Sequence, residues 1–222
     1  MAEKIIVIGA IGSAKVIGEQ IHDAYSNRNG DQEFIGYAFD DKSYDKVNDF
    51  PVICGTRDVF EKFKNDASVK FIFQMYRPDK IAERVEWRNR LRIPKDKWAT
   101  FVHPLSYVAS SAKIGYGSVI LSSSTVNANA KLGTHCTLQA GCTIGHDAEV
   151  GNNNFFATQS VIGNCIIGDN NFFGLNSNTN NFITIGSDCF VAMGSNVVKG
   201  IDDGLMVKGN PAKAFKSNIR RM

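Results

Sequence analysis

The sequence predicts an α/β unit over residues 1–100, a parallel β-helix over residues 101–206 and a short tail over residues 207–222. Three observations predict it. A β-branched run, Lys4-Ile5-Ile6-Val7-Ile8-Gly9, opens a series in which apolar strands alternate with helical stretches. From Val108 an apolar residue returns at every sixth position. A second residue, nearly always small, follows each of these by four.

Composition narrows the class. The 222 residues are 43% hydrophobic and 21% charged, as in ordinary globular proteins. A net charge of +3 carries no electrostatic footprint for nucleic acid. No apolar run reaches the ~20 residues that span a bilayer. The start, Met1-Ala2-Glu3-Lys4, enters a strand directly, and a cytoplasmic protein is expected. Five cysteines, an odd number with no CxxC pair, suit a reducing compartment.

Lys4–Gly9 reads as a buried parallel strand: short, β-branched and ended by glycine. Gly9-Ala10-Ile11-Gly12-Ser13 is a tight turn, and a helix follows over Ala14–Tyr25. The turn reads either as a plain strand-to-helix connection or as an anion site. In the second reading, free N–H groups and the helix dipole point the same way. Glu33–Asp40 is the second strand, and Asp40 either receives a ribose or base or is a solvated loop acid. Val52–Gly55 is a third strand, with Thr56 or Asp58 capping a helix to Lys64. Lys70–Tyr76 is a fourth strand, and Pro78 suits the first turn of a helix running to Leu91. Arg77, at the end of that strand, either meets a phosphate or faces solvent. The alternation implies a parallel, Rossmann-like sheet with a ligand crevice at its strand C-termini. The polar stretch Ile93–Lys97 leads to a boundary near Thr100–Pro104.

The six-residue series runs Val108, Ile114, Ile120, Val126, Leu132, Leu138, Ile144, Val150 and Phe156. Its companions are Ala112, Ser118, Ser124, Ala130, Cys136, Cys142, Ala148, Asn154 and Ser160. A helix would repeat at three and four, and a strand at two. A strict six fits coils of a β-helix, with the aliphatic residue pointing inward and the small one at a crowded corner. Cys136 and Cys142 therefore read as packing groups. Between Val161 and Ile167 the repeat is one residue short. Asparagines crowd the later coils and suit left-handed corners and stacked amides. Flat outer faces make lateral self-association expected.

The repeat is followed by Gly209-Asn210-Pro211-Ala212 and preceded by His103-Pro104. Ile144-Gly145-His146-Asp147 lies in mid-rod, and the chain opens with the Gly9–Ser13 turn. Together these resemble the sialic acid O-acetyltransferase and nucleotide-aminosugar N-acetyltransferase family of hexapeptide acyltransferases. The resemblance covers almost the whole chain. It implies a left-handed parallel β-helix, an exception to right-handed crossovers. It also implies a homotrimer with sites between subunits, serving surface-polysaccharide biosynthesis. The N-terminal unit would hold a sugar nucleotide through Gly9, Ala10, Gly12, Ser13, Asp40 and Arg77. Acetyl-CoA would lie along a groove between rods, against Phe155, Gly174, Ala192, Gly209 and Pro211. No metal is implied.

By the same resemblance His146 is the general base and Asp147 orients or stabilises its ring. Histidine suits proton transfer near neutrality. In the repeat alone His146 reads as a solvated corner histidine. A backbone N–H one coil later, at Gly163 or Asn164, would hold the oxyanion. His103 is expected to pack at the junction, and His22 to lie on the first helix's surface. The sequence departs from the family at Phe155, where many members carry a second histidine. It also departs at Ile11, Ser13 and Phe39, which bear on nucleotide contacts.

The leading expectation is acetyl-CoA-dependent N-acetylation of a nucleotide-linked 4-amino-4,6-dideoxy sugar. An O-acetyltransferase of sialic acid or another surface sugar uses the same base. A metal-dependent β-helix enzyme needs three histidines between subunits, and only His135 and His146 lie in the coils. A non-catalytic trimeric sugar-binding scaffold is the reading that Phe155 favours.

Overall fold

The computed structural model describes residues 2–215. Its first unit is built on β1 (Glu3–Ile8), whose last four residues are fully buried. Helix α1 (Ser13–Asn27) packs on the sheet through Ala14, Ile17, Gly18, Ile21 and Ala24, the three-and-four spacing of one helix face. Gly18 is required there, because an added Cβ would sit 2.5 Å from Tyr37 Oη and 2.7 Å from Phe34. Then come β2 (Gln32–Ala38), β3 (Lys46–Val47), β4 (Phe50–Cys54), α2 (Val59–Phe63), β5 (Val69–Phe73) and α3 (Ile81–Arg90).

Strands β4, β2, β1 and β5 are parallel neighbours in that order, and β3 folds back antiparallel onto β4. The order reverses between β1 and β5, so a crevice opens beyond their C-terminal ends. Three local expectations are corrected. The β3–β4 hairpin, turning through Asn48 at φ 53°, was not anticipated. The fourth expected strand ends at Phe73, before Tyr76. The next helix starts at Ile81, after Pro78, because Lys80 N–H bonds to Arg77 O and Asp79 binds the Arg77 guanidinium.

The chain leaves the sheet where Ala99 N–H bonds to Phe71 O, and enters the rod where Phe101–Val102 pairs with Val119–Ile120. From there two-residue strands recur and stack in parallel into three flat sheets. Inward residues form three columns. One is Val108, Val126, Ile144, Ile162, Thr179 and Val197. Another is Ile114, Leu132, Val150, Ile167 and Ile185. The third is Ile120, Leu138, Phe156, Phe173, Val191 and Val207. The short repeat runs from Ile162 to Ile167, so the slip expected between Val161 and Ile167 starts one residue later.

The small positions have a shared reason. Ser118 and Ser124 donate their hydroxyls to carbonyls one coil along, Gly133 O and Gln139 O. Cys136 and Cys142 direct their thiols the same way, to Gly151 O at 3.1 Å and Ala157 O at 3.2 Å. Burial pushes both thiols up to about 12, so they are inert packing groups. Of the asparagines expected at left-handed corners, Asn153, Asn170 and Asn176 adopt positive φ, and Asn129, in an earlier coil, does so too. Asn154 and Asn171 instead lie buried and bond to backbone across coils. Residues 216–222 of the expected tail lie outside the described residues.

Candidate active site

The rod has three edges, each where the chain turns between sheets. His146 and Asp147 occupy the edge that follows Ile144. The residue before them must be glycine. A Cβ on Gly145 would lie 2.8 Å from Gly163 C and 2.9 Å from Ile162 O in the next coil. Asp147 turns the edge at φ 57°, a conformation that Asp and Asn tolerate best. Its N–H is held by Ala128 O.

His146 Nδ1 lies 2.7 Å from Asp147 Oδ2, and the side chains are 65% and 51% exposed. Asn129, one coil earlier on the same edge, donates to Asp147 Oδ1 at 2.9 Å. Hydrogen bonds from His146 and then Asn129 hold the Asp147 carboxyl below its usual range. The carboxylate is thus fixed at both oxygens. It accepts from the Nδ1 side of the ring and leaves Nε2 directed away from the pair. Asn129 was not singled out in the sequence, although it precedes Asp147 by one coil.

Neither expected oxyanion donor is free. Gly163 N–H donates to Thr179 Oγ1 at 2.9 Å, and Asn164 N–H to Asn181 Oδ1 at 2.8 Å. Both amides point along the rod axis into the next coil, which is how a parallel coil satisfies its backbone.

A second region lies beyond β1 and β5. Gly9, Ala10, Ile11, Gly12 and Ser13 join Phe39, Gln74, Met75, Tyr76, Arg77 and Arg84 around a cleft of about 380 Å³. The start of α1 carries no side-chain cap, so its first N–H groups face the cleft uncapped. Gln74 is the brace between units: its amide donates to Ser13 Oγ and its carbonyl accepts from Thr137 on the rod. Tyr76 stacks on Phe155 at 4.4 Å between ring centroids. Phe155 is itself buried and stacks on Phe172 at 5.6 Å.

Sequence reading therefore reached the turn and Arg77, and the structure brings these together. It missed Gln74, Tyr76 and Arg84, whose contacts depend on the rod. Arg77 is held by Asp79 through two hydrogen bonds. Asp40 lies apart from the residues that line the cleft and spends both carboxylate oxygens on Thr56, one on its N–H and one on its hydroxyl.

Gly174 and Ala192 fall in adjacent coils on a third edge, beside exposed Leu175 and Met193. Gly209 and Pro211 lie at the end of the rod, where Asn196 N–H bonds to Gly209 O. His103 is buried at the junction, with Nε2 3.7 Å from Asp23, and His22 lies exposed on α1. Among the described residues no three His, Cys, Asp or Glu side chains converge as metal ligands. No helix among them is long and apolar enough to cross a membrane.

No protein-family model matches the chain, and no curated protein matches it. Solved structures do. A mutant of perosamine N-acetyltransferase from Caulobacter crescentus, in complex with CoA and GDP-perosamine, is 20% identical with a TM-score of 0.82, over 96% of this chain and 97% of that one. The acetyltransferase domain of PglB from Neisseria gonorrhoeae is 26% identical with a TM-score of 0.81, over 96% of this chain and 100% of that one. WeeI from Acinetobacter baumannii is 20% identical with a TM-score of 0.73, over 95% of this chain and 99% of that one. The three parallel sheets fit the left-handed β-helix of such proteins. Over nearly its whole length the chain has the fold of the hexapeptide-repeat sugar acetyltransferases, the family that its sequence resembles.

Proposed function

We propose that this protein transfers the acetyl group of acetyl-CoA to the amine of a nucleotide-linked 4-amino-4,6-dideoxy sugar, with His146 as general base. The observation that carries this reading is the exposed His146–Asp147 pair, fixed at 2.7 Å on the open edge of a hexapeptide rod. The structures solved with CoA and GDP-perosamine, and with acetyl coenzyme A, support the choice of donor and acceptor class.

In this mechanism Asp147 Oδ2 accepts the Nδ1 proton and keeps the Nε2 lone pair available. The acceptor nitrogen bonds to the thioester carbonyl carbon while its proton passes to Nε2. The tetrahedral intermediate then collapses with C–S cleavage, and the imidazolium returns the proton to the departing thiolate. Asp147 offsets the charge on the imidazolium throughout. For Gly163 or Asn164 to hold the oxyanion, its N–H would have to leave Thr179 or Asn181.

The cleft at Gly9–Ser13 would receive the nucleotide diphosphate, with uncapped N–H groups and the α1 dipole opposing its charge. Arg77 and Arg84 add positive charge at its rim. The groove of Gly174, Ala192, Gly209 and Pro211 would carry the CoA arm. Phe155 contributes indirectly, as the floor beneath Tyr76.

One chain does not make the whole site. His146 stands on one edge, the cleft packs against the Thr137–Phe155 face, and the small residues of the groove follow another edge. A homotrimer in which the His146 edge of one rod meets the cleft and groove of the next would unite them. Such an enzyme would act on cytoplasmic sugar nucleotides for surface-polysaccharide biosynthesis.

The test is acetyl transfer over a panel of aminosugar nucleotides, with sialic acid as a hydroxyl acceptor, for the wild type and His146→Ala. A loss of ~10²–10⁴-fold is expected for the variant. Equal rates in both proteins would remove the general-base assignment. Absence of transfer to every acceptor would favour a binding scaffold.

A further inference from the structure

Between α3 and the rod lies a narrow space of about 30 Å³, next to the cleft at Gly9–Ser13, with which it shares Gln74, Tyr76 and Arg84. Arg84 and Arg88 both line it, four residues apart on one face of α3. Like charges at that spacing repel, so the arrangement needs compensation. No carboxylate lines the space. The acids on α3 and its lead-in are already committed: Asp79 to Arg77, Glu83 to Lys80 and Glu86 to Arg90.

Three polar atoms of the lining residues have no partner. Tyr76 Oη, Arg84 Nε and His135 Nδ1 are buried and make no hydrogen bond among the described residues. Arg88 has only neutral partners, Asn153 Oδ1 at 2.7 Å and Asn89 Oδ1 at 3.4 Å. Gln74 turns its amide away to Ser13 and Thr137. Arg84 finds a further contact over the Trp87 ring at 5.4 Å, which leaves its charge in place.

We propose that this seam is a binding site for one monatomic anion of the halide class, chloride under ordinary salt conditions. Size selects the class. A space of 30 Å³ exceeds the ~10–15 Å³ that one water-sized occupant needs, and suits a single small ion. Charge selects an anion over water, because the largely buried Arg88 guanidinium has no carboxylate partner and Arg84 brings a second positive charge beside it. The remaining groups supply no negative charge. Burial pushes the Tyr76 phenol well up and holds the His135 imidazole down to about 3, so both are neutral at pH 7. Arg88, held down to about 10 by burial, is still protonated there. The anion would pin α3 to the coil edge of His135 and Asn153, and so brace Arg84 at the cleft rim. This inference does not depend on the acetyl-transfer reading.

The experiment compares the purified protein in sodium gluconate and in sodium chloride at equal ionic strength. Chloride is expected to raise Tm saturably, by ~5–10 °C at a hundredfold excess over Kd. A crystal soaked in sodium bromide should show an anomalous peak within hydrogen-bond distance of Tyr76 Oη and the guanidiniums of Arg84 and Arg88. In Arg88→Met the half-saturating chloride concentration should rise at least tenfold. If that variant does not fold, Tyr76→Phe, which removes one donor, should raise it severalfold. Equal Tm in the two salts, or a bromide-soaked crystal without a peak in the seam, would overturn the proposal in favour of a bound water.

Discussion

Asn129 Nδ2 donates to Asp147 Oδ1 at 2.9 Å, one coil from the residue it holds. Both sit on the same edge at positive φ, so the coil stacking itself sets their distance. Asp147 then has one oxygen committed to Asn129 and one to His146. In Asn129→Ala the carboxylate gains rotational freedom and the imidazole loses a fixed partner. Solvent at this exposed edge weakens the hold of each hydrogen bond on the carboxylate, so the effect on the reaction is modest. The expected result is a fall in kcat of about tenfold with KM little changed. Steady-state kinetics check this, and a rise in KM at unchanged kcat would assign Asn129 to substrate binding instead.

The pairing also predicts how substitutions combine. Asp147→Ala removes the group through which Asn129 acts. The double variant Asn129→Ala/Asp147→Ala should be no slower than Asp147→Ala alone, within about twofold. Additive losses in log kcat would mean that Asn129 serves the reaction by another route.

His135 links stability to pH. Its ring is enclosed edge-on by Trp98 and Tyr116, and burial, with a smaller contribution from Arg88, holds its folded-state value down to about 3. The unfolded chain binds that proton near pH 6.5. Between these values the unfolded state carries more protons, so stability falls as the pH falls. The contribution is intact above pH 6.5 and has dropped by about 2 kcal/mol at pH 5. That corresponds to ~4–8 °C in Tm. Asn suits the left-handed backbone at this corner, φ 54°, so His135→Asn is the informative variant. Its Tm should be lower at pH 7.5, for lost ring packing, yet vary less between pH 7.5 and 5 than the wild type's. Parallel Tm–pH curves would show that another group controls acid sensitivity.

The rod was legible in the sequence because its period is enforced residue by residue. Ile144, Ile162 and Thr179 occupy one column, and a slip at any of them would turn an aliphatic side chain outward. Even the short repeat was visible, though its start was read as Val161 and the inward residue is Ile162. The cleft was half legible. Gly9–Ser13 announces a turn by its own chemistry, but Tyr76 and Gln74 matter only because Phe155 and Thr137 meet them from distant coils. The late start of α3 was hidden for a local reason: Asp79 prefers the Arg77 guanidinium, and Pro78 falls in the turn before the helix. The occupied amides of Gly163 and Asn164 were not legible, because Thr179 and Asn181 give no sign in sequence of facing back by one coil.

Those amides carry a stability prediction. Thr179→Val keeps the inward shape of the side chain and removes the acceptor for Gly163 N–H. A part-buried donor left unmatched costs ~1–3 kcal/mol. Thermal unfolding should shift down by ~2–12 °C, with the acetyl-transfer kcat retained. A loss of kcat without a Tm change would return Gly163 to the reaction as an oxyanion donor.

Phe155 occupies the place where the resembling family often carries histidine, and its surroundings argue for packing. Its ring lies between Tyr76 at 4.4 Å and Phe172 at 5.6 Å, the interplanar angles being 18° and 12°. This stack is the apolar contact between the end of β5 and the rod. Phe155→Ala opens a cavity beneath Tyr76 and should cost ~3–5 kcal/mol, lowering Tm by ~6–20 °C. Phe155→Leu keeps most of the volume and should cost less than half as much. If the ring also forms the floor of the cleft, both variants should raise KM for the sugar nucleotide and leave KM for acetyl-CoA within about twofold. A selective rise in the acetyl-CoA KM would instead place Phe155 against the CoA arm, because only the donor would then feel the missing ring.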